Sequence, residues 1–127
     1  ELAKDKDVLD CFCYTGGFTV NALAGGARSV FSIDSSADAL ALAKENVALN
    51  DLPVEKTNFL EGDVFQLLRK FRDENRSFDM IILDPPAFAK HNDVRHNAVQ
   101  GYKRLNVEVI RRIKSGGFLF MSGIYEN

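Results

Sequence analysis

The sequence predicts an α/β fold with a mostly parallel sheet of five strands. Two observations predict it. Short apolar segments alternate with amphipathic segments along the whole chain, and turn residues such as Gly16-Gly17 and Gly25-Gly26 separate them. The apolar segments are also nearly continuous, which is typical of strands that helices cover on both faces. Alternating strands and helices form right-handed βαβ units, so the strands are expected to run parallel.

Each element follows from its local pattern. Strands are predicted at residues 8–12, 29–33, 57–60, 78–83 and 118–121. Helices are predicted at residues 18–24, from a cap at Ser35 or Ser36 to about residue 50, from 64 to about 75, and at about 99–113. Turns are expected at 51–53 and 115–117. The residues expected to face the sheet are Leu40, Ala43, Val47 and Ala48 on the second helix and Leu67, Leu68 and Phe71 on the third.

Composition indicates one globular domain spanning residues 1–127. The chain has 127 residues, of which 46% are hydrophobic and 27% charged. No apolar run approaches the roughly 18 residues of a membrane helix. The charged start at residues 1–7 excludes a signal peptide, so we expect a cytoplasmic protein that does not contact a membrane. Oligomeric state is left open.

The two cysteines, Cys11 and Cys13, lie two residues apart in the first predicted strand and are expected to share one face. No other cysteine is present to complete a metal site, and none is predicted. We interpret both as small, reduced, buried residues.

Charge is unevenly distributed. The net charge is -2, but residues 88–114 contain seven basic and two acidic side chains. Such a stretch can contact phosphates. Alternatively, Arg111, Arg112 and Lys114 only solvate a helix face near its C-terminal end. That alternative is weaker for the bases in or beside the preceding loop, which are Lys90, Arg95, Lys103 and Arg104.

Four acidic residues lie at the ends of predicted strands: Asp10, Asp34, Asp63 and Asp84. The carboxyl ends of parallel strands meet at one edge of a sheet, where such folds bind ligands. Together they predict a pocket for a ligand with hydroxyls, amines or positive charge. Each has a structural alternative: Asp34 can simply precede a helix cap, and Asp63 can itself cap a helix.

The turn after the first strand consists of Tyr14, Thr15, Gly16, Gly17 and Phe18. Glycines there let the backbone approach a ligand closely, or serve only the geometry of the turn. Asp34 follows Gly16 by 18 residues, close to the spacing of about 20 at which an acid reaches ribose hydroxyls.

The ligand is thus expected to be a nucleoside. A dinucleotide fingerprint would place glycines at Tyr14 and Thr19, and both residues are too large for those roles. S-adenosylmethionine has a ribose, no phosphate and a positive charge, and it suits the acidic edge better.

The segment Asp84-Pro85-Pro86-Ala87-Phe88 follows the fourth predicted strand. Two prolines force an extended, rigid backbone without N–H donors. Phe88 is then placed to stack on a flat base. The alternative is a stiff loop in which Phe88 covers the core.

These motifs resemble the class I S-adenosylmethionine-dependent methyltransferases, which have a Rossmann-like core. Within that class the chain is similar to the bacterial 23S ribosomal RNA (cytosine-5) methyltransferases that have an N-terminal PUA domain. The similar segments are residues 10–18, 30–36 with Ala39-Leu40, 62–65, 84–88 and 101–106.

The resemblance implies roles for individual residues. Asp34 would bind the ribose, Asp63 the adenine amine, and residues 14–18 the methionine part. The cofactor-binding residues would be Asp10, Tyr14, Thr15, Gly16, Gly17, Phe18, Asp34, Ser35, Asp63, Val64 and Asp84. The catalytic residues, facing the target base of ribosomal RNA, would be Asp84, Pro85 and Phe88.

The sequence also departs from that group. The group's Ser-Cys pair after the fifth strand is replaced by Met121-Ser122-Gly123-Ile124. The PUA domain and the last two strands of the fold are expected to lie outside residues 1–127. Three alternatives follow: a guanine-N7 ribosomal RNA methyltransferase, a nicotinamide-dependent oxidoreductase, and a fragment that binds cofactor without catalysis.

Overall fold

The computed structural model describes residues 3–83 and 111–121. Its strands are β1 (Asp7–Cys11), β2 (Ser29–Asp34), β3 (Thr57–Glu61), β4 (Phe78–Leu83) and β5 (Ile113–Met121). Its helices are α1 (Gly17–Ala24), α2 (Ala37–Leu49) and α3 (Val64–Asp73), with a short 3-10 helix at Val54–Lys56 that the sequence did not predict. In these two ranges, no helix combines the length and the apolar character needed to cross a membrane.

The five strands form one parallel sheet in the order β3-β2-β1-β4-β5, which confirms the predicted α/β fold. The chain builds outward from β1 to β3 and then returns to place β4 on the other side of β1. The order therefore reverses between β1 and β4, the position at which open α/β sheets bind ligands. Cys11 is in register with Ile33 of β2 and Leu83 of β4, so the carboxyl ends of these strands lie level.

Helices cover both faces of the sheet because successive strand residues point in opposite directions. On one face, Leu9 packs with Leu68 and Phe71 of α3. On the other, Val8 packs with Leu23 of α1 and Val47 of α2. Each fully buried apolar side chain of this size stabilises the fold by about 1.5–3 kcal/mol.

Helix α2 begins at the second of the two predicted caps. The Ser36 Oγ accepts a hydrogen bond from the Ala39 N–H at 3.1 Å. The buried face of α2 consists of Ala39, Leu40, Ala43 and Val47. The expectation that Ala48 faces the sheet is wrong: Ala48 is exposed, because each helical residue turns by about 100° and carries it off the stripe.

Residues with left-handed backbone end one strand and one helix earlier than the sequence predicted. β1 stops at Cys11, one residue before the predicted end, because Phe12 has a φ of 61°. α3 ends at Asp73 and not near Asn75, because Asn75 has a φ of 58°. Asn is among the few residues other than glycine that adopt this conformation readily.

The last strand begins earlier than predicted. β5 starts at Ile113 and not at residue 118, and the expected turn at 115–117 lies inside it. Phe78 pairs with Ile113 whereas Met80 pairs with Phe118, so residues 114–117 form an irregularity opposite Asp79. A Cβ on Gly117 would lie 2.6 Å from the Asp79 carbonyl oxygen, so only glycine fits there. Of the predicted helix at 99–113, only 111–113 lie within the described residues: 111–112 are helical, whereas Ile113 is the first residue of β5.

An ionic cluster closes the opposite, amino-terminal edge of the sheet. The Arg28 Nε and Nη2 donate to the two carboxylate oxygens of Asp7 at 2.9 and 2.7 Å. Asp79 accepts from the Asp7 backbone N–H at 2.8 Å, and Lys114 lies 3.5 Å from both carboxylates. The hydrogen bonds from Arg28 hold the pKa of Asp7 well below its usual value, against the opposing effect of burial.

Candidate functional site

The candidate site begins with the loop between β1 and α1, residues 12–16. Three of its residues have left-handed backbone: Phe12, Tyr14 and Gly16, with φ of 61°, 53° and 92°. For residues other than glycine this conformation costs about 1–2 kcal/mol each. Such strain persists only where the surroundings fix the backbone, and it concentrates at functional sites.

Neighbouring elements hold this loop at several points. The Cys13 N–H donates to the Ile33 carbonyl oxygen of β2 at 2.8 Å. The Tyr14 N–H donates to the Asp34 Oδ2 at 2.8 Å. From α2, the Asn46 Nδ2 donates to the Thr15 carbonyl oxygen at 2.8 Å. β2 and α2 therefore fix the shape of the loop.

The two glycines of the turn have different tasks. A Cβ on Gly16 would lie 2.9 Å from the Ala43 Cβ and 3.0 Å from its Cα, so the loop packs directly on α2. A Cβ on Gly17 would meet no described atom within 4 Å. Gly16 thus serves the geometry of the turn, while Gly17 borders space that no described residue fills. Beside it, the side chains of Tyr14 and Phe18 are 70% and 42% exposed.

Asp34 connects the loop to the next two elements. Its Oδ2 accepts from the Tyr14 N–H, and its Oδ1 accepts from the Ser36 N–H at 2.9 Å. Its backbone carbonyl accepts from the Gly62 N–H, just after β3, at 3.0 Å. A carboxylate oxygen has more than one acceptor site, so Asp34 can still accept from ligand hydroxyls. It supports the start of α2 and also lies at the site, while Ser35 beside it is exposed.

The carboxyl end of β3 adds two exposed acids. Asp63 occupies the cap position of α3, as the structural alternative had it, but its side chain makes no capping hydrogen bond. Glu61, which the sequence did not single out, is in register with Asp34. Val64 is 3% exposed and belongs to the core, so only its backbone can reach a ligand. Among the described residues, negative charge at this edge thus comes from Asp34, Glu61 and Asp63.

Asp10 lies beneath the loop and not on its open side. It is fully buried, and its Oδ2 accepts from the Thr19 Oγ1 at 2.7 Å. The Thr19 and Ser32 hydroxyl oxygens are 2.8 Å apart, so Ser32 donates to Thr19 in turn. This network joins β1, α1 and β2 inside the protein. The expectation that Asp10 faces a shared open edge is therefore wrong, because its position inside β1 directs it into the core.

Both cysteines are free and buried, as predicted. Cys13 lies in the loop, however, so the two do not share a strand face as expected. Burial, aided by the carboxylates of Asp10 and Asp34, raises the pKa of Cys13 to about 12. Burial likewise raises the pKa of Cys11 well above its usual value. Neither thiol forms a reactive thiolate at neutral pH.

Other predicted residues lie outside the described residues, namely Asp84, Pro85 and Phe88 and the bases Lys90, Arg95, Lys103 and Arg104. From the same basic stretch, Arg111 is exposed, while Lys114 belongs to the ionic cluster at the opposite edge.

Sequence reasoning did not find several residues that shape the site. Asn46 lies 31 residues from its partner Thr15, and no local pattern marks that contact. Thr19 was considered only as a poor substitute for glycine, although its hydroxyl is buried against Asp10. A polar residue near the start of an apolar helix was the one available signal for Thr19.

The fold and the site define a class: α/β proteins that bind a nucleoside cofactor at the carboxyl edge of a parallel sheet. Residues 1–125 match the family model of S-adenosylmethionine-dependent methyltransferases, and the chain belongs to this family. The family match removes the nicotinamide alternative and confirms S-adenosylmethionine as the expected cofactor class.

The chain is also similar in sequence to individual methyltransferases. The chain is 50% identical over 116 residues to the ribosomal RNA large subunit methyltransferase I of Cronobacter sakazakii, covering 91% of this chain and 29% of the relative. It is 49% identical over 117 residues to the protein of the same name from Alteromonas mediterranea, covering 92% and 30%. The chain therefore spans less than a third of the length of these relatives.

Two solved structures are similar in fold. A protein described as a methyltransferase, in complex with S-adenosylhomocysteine (SAH), superposes with a TM-score of 0.84 at 29% identity. That match covers 94% of this chain and 31% of the other. A protein from Streptococcus mutans described as S-adenosylmethionine-dependent has a TM-score of 0.80 at 28% identity, covering 94% and 30%.

Proposed function

We propose that this chain is the cofactor-binding core of an enzyme that methylates large-subunit ribosomal RNA. The names of the relatives that are about half identical support the substrate class. One structural observation carries the cofactor role: the Asp34 carboxylate, at the end of β2, joins the strained loop to the start of α2. Ribosomal RNA is the proposed partner and the cytoplasm the proposed location, which agrees with two free cysteines.

The described residues fit S-adenosylmethionine. Asp34 is proposed to accept from the ribose hydroxyls, with Ser35 beside it, and Asp63 to accept from the adenine amine, with the backbone of Val64 beside it. The space beside Gly17, which no described residue fills, leaves room for the methionine part along residues 14–18. Asp10 would act indirectly, by fixing Thr19 under the first turn of α1. Carboxylates at this edge also match the positive charge of the ligand.

The bound cofactor supplies a methyl group on a positively charged sulfur. The contribution of this chain is to hold that group in line with the acceptor atom, since alignment at near-attack distance supplies much of the rate. A base inside folded RNA has to leave its stack to reach the site. Asp84, Pro85 and Phe88, which lie outside the described residues, are proposed to contact it.

The proposed target is cytosine C5, on the basis of the resemblance. Carbon C5 is a poor nucleophile and is normally activated by a cysteine thiolate that adds to the ring. The buried Cys11 and Cys13 do not fit this task, so a thiolate would have to come from another residue of the intact protein. The same observation favours a second candidate, guanine N7, whose ring nitrogen attacks without covalent help.

The cofactor is tested by calorimetric titration of the chain with SAH and, separately, with NAD. We expect SAH alone to bind. Asp63→Asn should weaken binding without changing the urea midpoint, because Asp63 is exposed and makes no capping bond. Asp38→Asn, an exposed acid in the first turn of α2, is the matched control. Binding of NAD in place of SAH, or full SAH affinity in Asp63→Asn together with Asp34→Asn, would contradict the assignment.

The target base is tested on the intact protein. It would be incubated with S-adenosylmethionine and unmodified large-subunit ribosomal RNA, and the nucleosides separated by mass spectrometry. 5-Methylcytidine supports the first candidate and 7-methylguanosine the second. A cofactor-bound intact protein that yields neither product, on naked or assembled RNA, would indicate a binding role without catalysis.

A further inference from the structure

One contact between α2 and the loop involves none of the residues proposed to bind the adenosine part of the cofactor. The half-buried Asn46 donates from its Nδ2 to the Thr15 carbonyl oxygen at 2.8 Å. Asn46 lies one turn after Ala43, whose Cβ would be 2.9 Å from a Cβ added at Gly16. Residues three apart share a helix face, so one face of α2 packs against two consecutive loop residues, Thr15 and Gly16.

Thr15 and Gly16 lie at the most constrained point of the loop. Thr15 stands between Tyr14 and Gly16, both of which have left-handed backbone. The direction of the Thr15 carbonyl fixes the plane of the peptide that joins it to Gly16, because that unit is rigid. Gly16 is the cap residue of α1, so the same peptide sets the path into Gly17 and Phe18.

The local geometry leaves few other restraints on this peptide. The Gly16 N–H donates to the Cys13 carbonyl oxygen at 2.8 Å, a bond inside the loop itself. Asp34 restrains the loop one residue earlier, through the Tyr14 N–H. Ala43 packs against this junction, and Asn46 adds a hydrogen bond from outside the loop that sets the direction of the Thr15 carbonyl.

We propose that Asn46 is a positioning residue for the cofactor: it aligns the loop so that the backbone of Gly17 and Phe18 receives the methionine part. This inference rests on the proposed cofactor role of residues 14–18. It separates two functions of the site, since Asp34 and Asp63 serve the adenosine part and Asn46 acts on the amino-acid part through Thr15.

Two ligands distinguish positioning from general stability. SAH has the amino-acid part, whereas 5′-methylthioadenosine has the same adenosine and sulfur without it. Both would be titrated by calorimetry into the chain and into Asn46→Ala and Asn46→Asp. Asp has the same size as Asn but replaces the donor with an acceptor, so it keeps the packing if the alanine variant fails to fold. Asn50→Ala is the matched control, because among the described residues Asn50 Nδ2 donates to the Asn46 carbonyl oxygen at 2.7 Å and not to the loop.

We expect both Asn46 variants to lose at least about fivefold in affinity for SAH, the value of one net hydrogen bond, and to keep their affinity for 5′-methylthioadenosine. Asn50→Ala should change neither. Unchanged SAH binding in the Asn46 variants, or an equal loss for both ligands, would overturn the positioning role. If the unaltered chain bound only 5′-methylthioadenosine, the loop assignment would be wrong; if it bound neither ligand, the proposed function itself would fail, and this inference with it.

Discussion

Gly16 and Gly17 are adjacent in the chain, but alanine is expected to have different effects at the two positions: at Gly16 it should lower stability, and at Gly17 it should weaken ligand binding. Gly16 has a φ of 92°, and an added Cβ would lie 2.9 Å from the Ala43 Cβ. The left-handed conformation costs alanine about 1–2 kcal/mol. Forcing a methyl group against a packed helix costs about 1–3 kcal/mol more. Gly16→Ala should therefore lower the free energy of unfolding by about 2–5 kcal/mol, a large share of the roughly 5–15 kcal/mol of a typical domain.

Gly17→Ala is the matched control. Gly17 is the exposed first residue of α1, and its Cβ would meet no described atom within 4 Å. We expect a change in unfolding free energy within about 0.5 kcal/mol, as is usual for a surface position. Because the methyl group enters the space proposed for the ligand, Gly17→Ala should weaken SAH binding while the fold stays intact.

Urea unfolding followed by circular dichroism measures the stability of both variants, and calorimetry measures SAH affinity. Gly16→Ala should be less stable than Gly17→Ala by at least about 1.5 kcal/mol. If Gly16→Ala were as stable as the unaltered chain, the close packing of the loop on α2 would be refuted. If both variants lost the same stability, the distinct roles of the two glycines would be refuted.

Three further predictions concern the buried network, the ionic cluster and a thiol. Thr19→Val should lower the free energy of unfolding by about 1–3 kcal/mol in urea titrations, because the buried Asp10 carboxyl group loses a donor at 2.7 Å. Asp7→Asn should reduce the loss of stability on acidification: the pKa of Asp7 is lowered by Arg28, so its contribution is present above the unfolded value of about 3.9 and is lost as the pH falls from there toward the lower folded pKa. Cys13, whose pKa is raised to about 12, should resist iodoacetamide at pH 8 in the folded chain and react once urea unfolds it.

Each of these predictions has its own control. Thr19→Ser keeps the hydroxyl and should retain most of the stability; a loss equal to that of valine would point to packing as the cause. Between pH 7 and 2, the urea midpoint of Asp7→Asn should come closer to that of the unaltered chain as the pH falls, and parallel curves would contradict the ionic explanation. Rapid alkylation of folded Cys13, measured by mass spectrometry, would show that the thiol is accessible and reactive.

The sequence by itself determined the alternation of strands and helices, and β4 at Phe78–Leu83 agrees residue for residue with the prediction. It did so because a strand buried on both faces needs a continuous apolar run, which is a local property of the chain. The spacing from Gly16 to Asp34 likewise pointed to the place where the loop and β2 meet, and the Tyr14 N–H does bond to that carboxylate.

Only the tertiary structure decided which polar groups face the site. Asp10 and Asp34 are both acids at strand ends, yet one is buried against Thr19 and the other lies at the open edge. The contact of Asn46 with Thr15 spans 31 residues and depends on how α2 packs beside β1. Such positions follow from where separate elements meet in space. The periodicity of one segment does not specify which distant segment packs against it, so these contacts could not be predicted from the sequence.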